Sequence, residues 1–413
     1  MAEQKKVLIL TADAGFGHRS AAIAVAAALE EKYGEDTVVE IVNPLDDNRV
    51  APFLHDSQSD YTKWIRSVPE LYQLGYEASD SLIPTRLLEN SLAVLLIEAL
   101  RGILDASNPD VILTTYPLYQ SALTTLFRSK RYRVPLYTSV TDLSTVHRMW
   151  FHKYVDGCLV PNSLVADLAA SCGMPPEKIT ITGIPVHPNV VKDPREKNEI
   201  RKELGWSSDI PTVLAVGSKR VDRLLDTLNI INHFGGKIQL VVVAGKDEHL
   251  LREINQFEWH IPAHVYNFVD NIPTMMHAAD MIICKAGGLI VTESLACGLP
   301  MILIDIIPGQ ETGNAEYATA LGAADLAETP IAVLETLDHL LMNDQLLLKQ
   351  RARNAAKHGK PKSAYKVADI LHAALEKNAD LPPRPRRKRL EELVGDRTST
   401  RLNSSHGKLS RMP

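Results

Sequence analysis

The sequence predicts two doubly wound, Rossmann-like α/β domains, and three observations carry that prediction. Short apolar, β-branched runs alternate with segments long enough for helices, as parallel sheets with crossover helices require. The series runs out and then starts again, with a proline-rich, charged stretch between its halves. The first run leads at once into a glycine turn and an alanine-rich helical segment, the usual entry to a ligand-binding edge of an open sheet.

The opening run, residues 7–10, is apolar and β-branched, as a strand buried on both faces should be. Residues 20–29 are good helix formers without a breaker, so a helix leaves the turn. Between them, TADAGFGHRSAA at 11–22 puts Gly15, Gly17 and His18 where bare helix N–H groups and a positive dipole end meet ligands. Ser20 replaces the third glycine of the dinucleotide fingerprint, so the turn is a weak nicotinamide motif. Taken alone, it suits a solvated capping histidine as well as a catalytic one. Runs at 38–42, 111–115, 134–140, 157–160 and 178–182 continue the first sheet. The stretch 183–199, with three prolines, reads as a link, and a second series follows at 212–217, 238–244, 264–268, 280–284 and 300–305. The division is an N-terminal domain at 1–192, a C-terminal domain at 193–378 and a tail at 379–413.

Residues 53–90 interrupt the pattern, because Phe53, Tyr61, Trp64, Tyr72 and Tyr76 crowd into 24 residues of a chain that is 6% aromatic. Such rings suit a membrane headgroup contact or the mouth of a lipid pocket, and equally a cover over the first sheet. The leucine-rich segment 87–104 reads as a core helix. From Pro382 the chain loses all periodicity and is expected to be disordered. Its cluster Arg384–Arg389 has the charge to attract an anionic surface, and its last dozen residues read as adaptor sequence.

Composition sets wider bounds. With 413 residues, 45% hydrophobic and 23% charged, the chain has room for two or three ordinary soluble domains. No apolar run reaches membrane-spanning length, and residues 1–11 pass directly into a strand, so the expected location is cytoplasmic, peripheral on the inner face of the cell membrane. Four singly placed cysteines point to neither a metal site nor disulfides. The net charge of −5 hides nine basic and three acidic residues from Arg384 onward, a balance of +6 that leaves −11 on residues 1–383. An acidic body is no nucleic-acid-binding surface.

The second domain carries the stronger local signal, CKAGGLIVTESLACG at 284–298. A strand ends, Gly287 and Gly288 turn, and a helix begins. Glycines let phosphate oxygens approach bare N–H groups, and Lys285 adds a point charge, so the segment suits a diphosphate. Glu293, about one and a half turns on, is placed to accept both hydroxyl protons of a ribose diol, or is an ordinary surface glutamate. Downstream, IPGQETGNAEY at 307–317 gathers Gln310, Glu311 and Asn314, the array that a polyhydroxylated ligand needs, or else a helix cap with solvated side chains. Phe268, Val269, Asp270 and Asn271 follow another strand with backbone groups suited to a nucleobase edge.

In this combination the chain resembles the GT-B glycosyltransferases, in the branch of the monogalactosyldiacylglycerol synthases and processive diacylglycerol glucosyltransferases, with the peptidoglycan lipid-intermediate transferases more distant. The resemblance spans residues 5–376. It rests on Gly15-x-Gly17-His18 followed by Ser20-Ala21-Ala22, then Asp142 with His147 and Trp150, the loop 268–271, Lys285-x-Gly287-Gly288 with Glu293, and Gly309-Gln310-Glu311 with Asn314. It implies an inverting transfer from UDP-glucose or UDP-galactose, a substrate rather than a cofactor, to diacylglycerol in an anionic membrane surface. No metal is required by that chemistry. His18 would match the family's catalytic base, with Asp13 orienting it. Gly17, Trp64, Asp142, His147 and Trp150 would lie on the acceptor side, and Phe268, Val269, Lys285, Gly287, Gly288, Glu293, Gln310, Glu311 and Asn314 on the donor side. The chain departs from the pattern at Phe16, at Tyr116 where relatives often carry histidine, and in the loop GSKRVDR, which either removes phosphate contact from this loop or moves it to Ser218, Lys219 and Arg220. A UDP-sugar epimerase of the same architecture and a non-catalytic nucleotide-sugar-binding protein are the competing readings. His18 and the acceptor-side aromatics favour transfer.

Overall fold

The computed structural model describes residues 4–13, 16–50, 82–128, 134–193, 195–217, 221, 223–245, 247–270, 272–306 and 311–379, with 16, 82–92 and 378–379 as backbone only. The first half comprises β1 (Lys5–Leu10), α1 (Phe16–Tyr33), β2 (Thr37–Val42), α2 (Leu82–Ser107), β3 (Val111–Thr114), α3 (Gln120–Arg128), β4 (Leu136–Ser139), β5 (Gly157–Val160), α4 (Ser163–Ser171) and β6 (Ile179–Ile181). Its six strands are all parallel, in the order β2-β1-β3-β4-β5-β6. Val7 to Leu10 and Val111 to Thr114 are fully buried, as expected of central strands covered by helices on both faces.

The second half comprises α5 (Lys197–Leu204), β7 (Thr212–Val216), α6 (Leu224–Asn232), β8 (Gln239–Val243), α7 (Glu248–Ile254), β9 (Ala263–Tyr266), α8 (Ile272–Ala278), β10 (Met281–Cys284), α9 (Gly288–Ala296), β11 (Met301–Leu303), α10 (Thr312–Ala320), β12 (Ala324–Leu326), α11 (Pro330–His358) and α12 (Ser363–Ala379). Its parallel sheet has the order β12-β11-β10-β7-β8-β9. Strand order reverses between β1 and β3 in one sheet and between β7 and β10 in the other. These two switch points are where crevices open beyond strand ends.

The eleven expected strands all form. The twelfth, β12, escaped sequence reading because Ala-Asp-Leu has neither β-branched residues nor length. A larger difference concerns α12, which was grouped by sequence with the second half. Its Ala364, Val367, Ala368, Leu371, Ala374 and Leu375 pack with Val7, Ile9, Val25 and Leu29 under the first sheet. Lys32 and Tyr33 of α1 hold Asp369, with Tyr33 Oη donating at 2.8 Å, and His372 stacks on Tyr33 at 3.9 Å. The helix α12 therefore packs with the half that holds β1.

Candidate active site

Gly15 lies outside the described residues, while His18 stands in the first turn of α1, beside the β1/β3 switch point. Its carbonyl accepts a hydrogen bond from Thr115 Oγ1 at 3.0 Å, and Tyr119 Oη donates to the Thr11 carbonyl at 2.9 Å. These bonds tie the turn to the end of β3. Three side chains then hold the imidazole: Tyr116 edge-on with ring centroids 4.9 Å apart, Trp150 at 6.0 Å, and Thr141 with Oγ1 2.9 Å from Nδ1. Burial lowers the His18 pKa from 6.5 to about 4, opposed by a hydrogen bond to the Thr115 backbone. The ring is therefore neutral near pH 7, in the form that accepts a proton.

Asp13 does not supply the orienting group. Its carboxylate is bound by the Arg19 guanidinium, through Nε and through Nη2 at 2.9 Å, because a planar cation is a better partner for a carboxylate than a neutral imidazole. Thr141, just beyond the end of β4, takes that position instead. Asp142 accepts from Trp150 Nε1 at 3.2 Å and so holds the ring that faces His18. Burial raises its carboxyl to about 6, with the Trp150 hydrogen bond pulling the other way. His147, placed by sequence on the acceptor side, caps the short turn Arg148–Trp150, its Nδ1 accepting from Met149 N at 3.2 Å. At Gly17 an added Cβ would meet nothing within 4 Å, leaving open space at the start of α1.

Across the crevice, α9 begins at Gly288 with Gly287 as its N-cap and no side-chain cap. No side chain among the described residues takes its first amides, which suit an anionic acceptor. A Cβ on Gly288 would come within 2.8 Å of the Thr141 carbonyl, and one on Gly313 within 2.7 Å of Thr145 N. Only glycine lets the two halves meet so closely. Asn314, expected to bind sugar hydroxyls, is a strut: it is 2% exposed, its Oδ1 accepts from Leu143 N and its Nδ2 donates to the Ala286 carbonyl, both at 3.1 Å. Both ends of the amide are thereby committed within the protein. Leu143 and Ile184 join the core of the second half.

Two carboxylates remain on the donor side. Glu311 pairs with Lys285, so the cation assigned to a diphosphate and the acid assigned to a sugar neutralise each other. Glu293 has no hydrogen-bond partner among the described residues, and burial lifts its carboxyl from 4.5 to about 7. Phe268 is half-exposed beyond β9, while Val269 packs against the second core. Gln310, Trp64, Asn271, Ser218, Lys219 and Arg220 lie outside the described residues. The residue that sequence reasoning missed is Thr141. Its only signal was its position just past the predicted strand 134–140.

Residues 18–186 match the family model of the monogalactosyldiacylglycerol synthases, and residues 212–367 that of the glycosyltransferase family 28 C-terminal domain. The chain is 32% identical over 380 residues to the chloroplastic monogalactosyldiacylglycerol synthase of Spinacia oleracea, covering 89% of this chain and 72% of that protein. Among solved structures, Acinetobacter baumannii MurG matches with a TM-score of 0.57 at 15% identity, over 90% of this chain and 100% of that one. UDP-GlcNAc 2-epimerase from Neisseria meningitidis bound to UDP-GlcNAc matches with a TM-score of 0.59, again at 15% identity and over the same shares. Transferase and epimerase thus share these two facing sheets, and the likeness speaks for the fold alone.

Proposed function

The chain belongs to the monogalactosyldiacylglycerol synthase family of GT-B glycosyltransferases, and from that premise we propose that it moves galactose from UDP-galactose to diacylglycerol with inversion at the anomeric carbon. The observation that carries this reading is the meeting of His18 and Gly288 at Thr141, which touches both. A base on one sheet and an uncapped helix N-terminus on the other stand within one residue of each other.

In this mechanism, His18 takes the proton of the glycerol hydroxyl as that oxygen attacks the anomeric carbon opposite the diphosphate. The new carbon–oxygen bond forms while the bond to the diphosphate breaks, and its electron pair leaves with UDP. Charge developing on the diphosphate is met by the amides at the start of α9, and Lys285 adds a cation when the donor draws it from Glu311. Glu293 accepts the ribose hydroxyls. Diacylglycerol reaches the crevice from a membrane surface on which the protein sits peripherally; no helix among the described residues is long and apolar enough to cross a membrane.

Purified protein given UDP-galactose or UDP-glucose, with and without diacylglycerol vesicles, tests the reading. UDP release that needs lipid, with galactolipid as product, is expected. Preferential use of UDP-glucose would correct the sugar, and sugar isomerisation without lipid would overturn transfer. His18→Ala should abolish turnover while leaving UDP affinity nearly intact.

A further inference from the structure

Thr141 occupies an unusual place, because its two ends touch different halves of the molecule. Its hydroxyl is 2.9 Å from His18 Nδ1, and its carbonyl lies against Gly288 at the N-terminus of α9. The residue is 5% exposed. Its loop is fastened to the second half twice more, by the Asn314 bond to Leu143 N and by the close approach of Gly313 to Thr145. Asn162 Nδ2 also donates to the Leu143 carbonyl at 2.7 Å, from the first half. A group so held has little freedom to follow the imidazole, so the imidazole must conform to it.

We propose that Thr141 is the positioning residue of His18, fixing the ring with its proton on Nδ1 so that Nε2 takes the acceptor proton, and that the donor-binding half sets this arrangement through its clamp on the 141–145 loop. A neutral imidazole has one N–H and one lone pair, and the hydrogen bond made by one nitrogen decides the role of the other. Nδ1–H donating to Thr141 Oγ1 leaves Nε2 as the base; the reverse bond, from hydroxyl to Nδ1, leaves Nε2 protonated and unreactive as a base. Because Asp13 is engaged by Arg19, this orienting work falls to uncharged groups, the Thr141 hydroxyl at Nδ1 together with the Thr115 backbone, which also hydrogen-bonds the ring. The proposal rests on His18 being the base, and its test separates the two.

Imidazole nitrogen NMR of the whole protein, with the His18 signals assigned by their loss in His18→Gln, should show Nδ1–H in the wild type and loss of that single-tautomer signature in Thr141→Val. Thr141→Val should lower kcat about tenfold to a hundredfold, the scale expected for a misaimed catalytic group, with KM for UDP-galactose within about threefold. Thr141→Ser should restore kcat to within about threefold of the wild type. An Nε2–H tautomer in the wild-type protein, or an undiminished kcat in Thr141→Val, overturns the role of Thr141 even where His18→Ala is inactive. Full activity in His18→Ala overturns the base itself.

Discussion

Among individual residues, Glu293 makes the sharpest prediction, because its carboxyl has no hydrogen-bond partner among the described residues and burial raises it to about 7. A diol that donates two hydrogen bonds needs the ionised form, so affinity for UDP-galactose should rise as pH passes upward through about 7. UDP-galactose rather than UDP is the useful probe, since a free terminal phosphate would titrate in the same range. Folding responds in the opposite sense. The unfolded glutamate ionises near 4.5, so the stability that comes from keeping it protonated is full below that pH and is lost as pH rises through about 7. The neighbouring Cys297 thiol, pushed up to about 12, stays neutral throughout and adds no slope. Glu293→Gln should flatten both pH dependences, read by calorimetric titration and by denaturant midpoints; a binding slope that survives in the variant would place the diol contact elsewhere. The sequence offered this residue as readily for the surface as for the site, since a place about one and a half turns into a helix does not reveal what covers that face. His18 was legible from its turn, whereas the Asp13–Arg19 pair was not, because it depends on how a turn of helix brings two side chains together.

The elements divide similarly. Strand runs were visible because buried parallel strands are continuously apolar, and α9 was visible because glycines precede it. The loop after β4 was not, since its residues matter through backbone groups that meet another sheet. Its contact with Gly288 yields a test at this scale. Gly288→Ala puts a Cβ 2.8 Å from the Thr141 carbonyl, a backbone atom that cannot swing aside as a side-chain tip can. Overpacking of this kind costs about 1–3 kcal/mol, partly offset by up to about 1 kcal/mol from replacing glycine in a helix. The net change in Tm should therefore be modest, while kcat falls at least about tenfold as the loop moves under His18. Combined with Thr141→Val, the losses should be less than additive, because both changes act through one contact. Fully additive losses would mean that Gly288 affects the donor alone.

At the scale of the whole molecule, two sheets and the crevice between them were readable, but the route of the last helix was not. Amphipathic spacing in α12 says that one face is buried and is silent on which sheet buries it. The packed chain answers this through Leu371, fully buried beside Val7 and Ile9, with Asp369 held by α1. With α12 packed in the first half beyond the second, the stability of β1 is coupled to that of α12. Leu371→Ala should cost about 2–5 kcal/mol by leaving a cavity under β1 and β3. Hydrogen exchange locates the effect: amides of β1, β3 and α1 should lose protection, while those of β7, β8 and β10 keep theirs. Loss of protection confined to β7–β12 would return α12 to the second half and break the proposed coupling of β1 to α12.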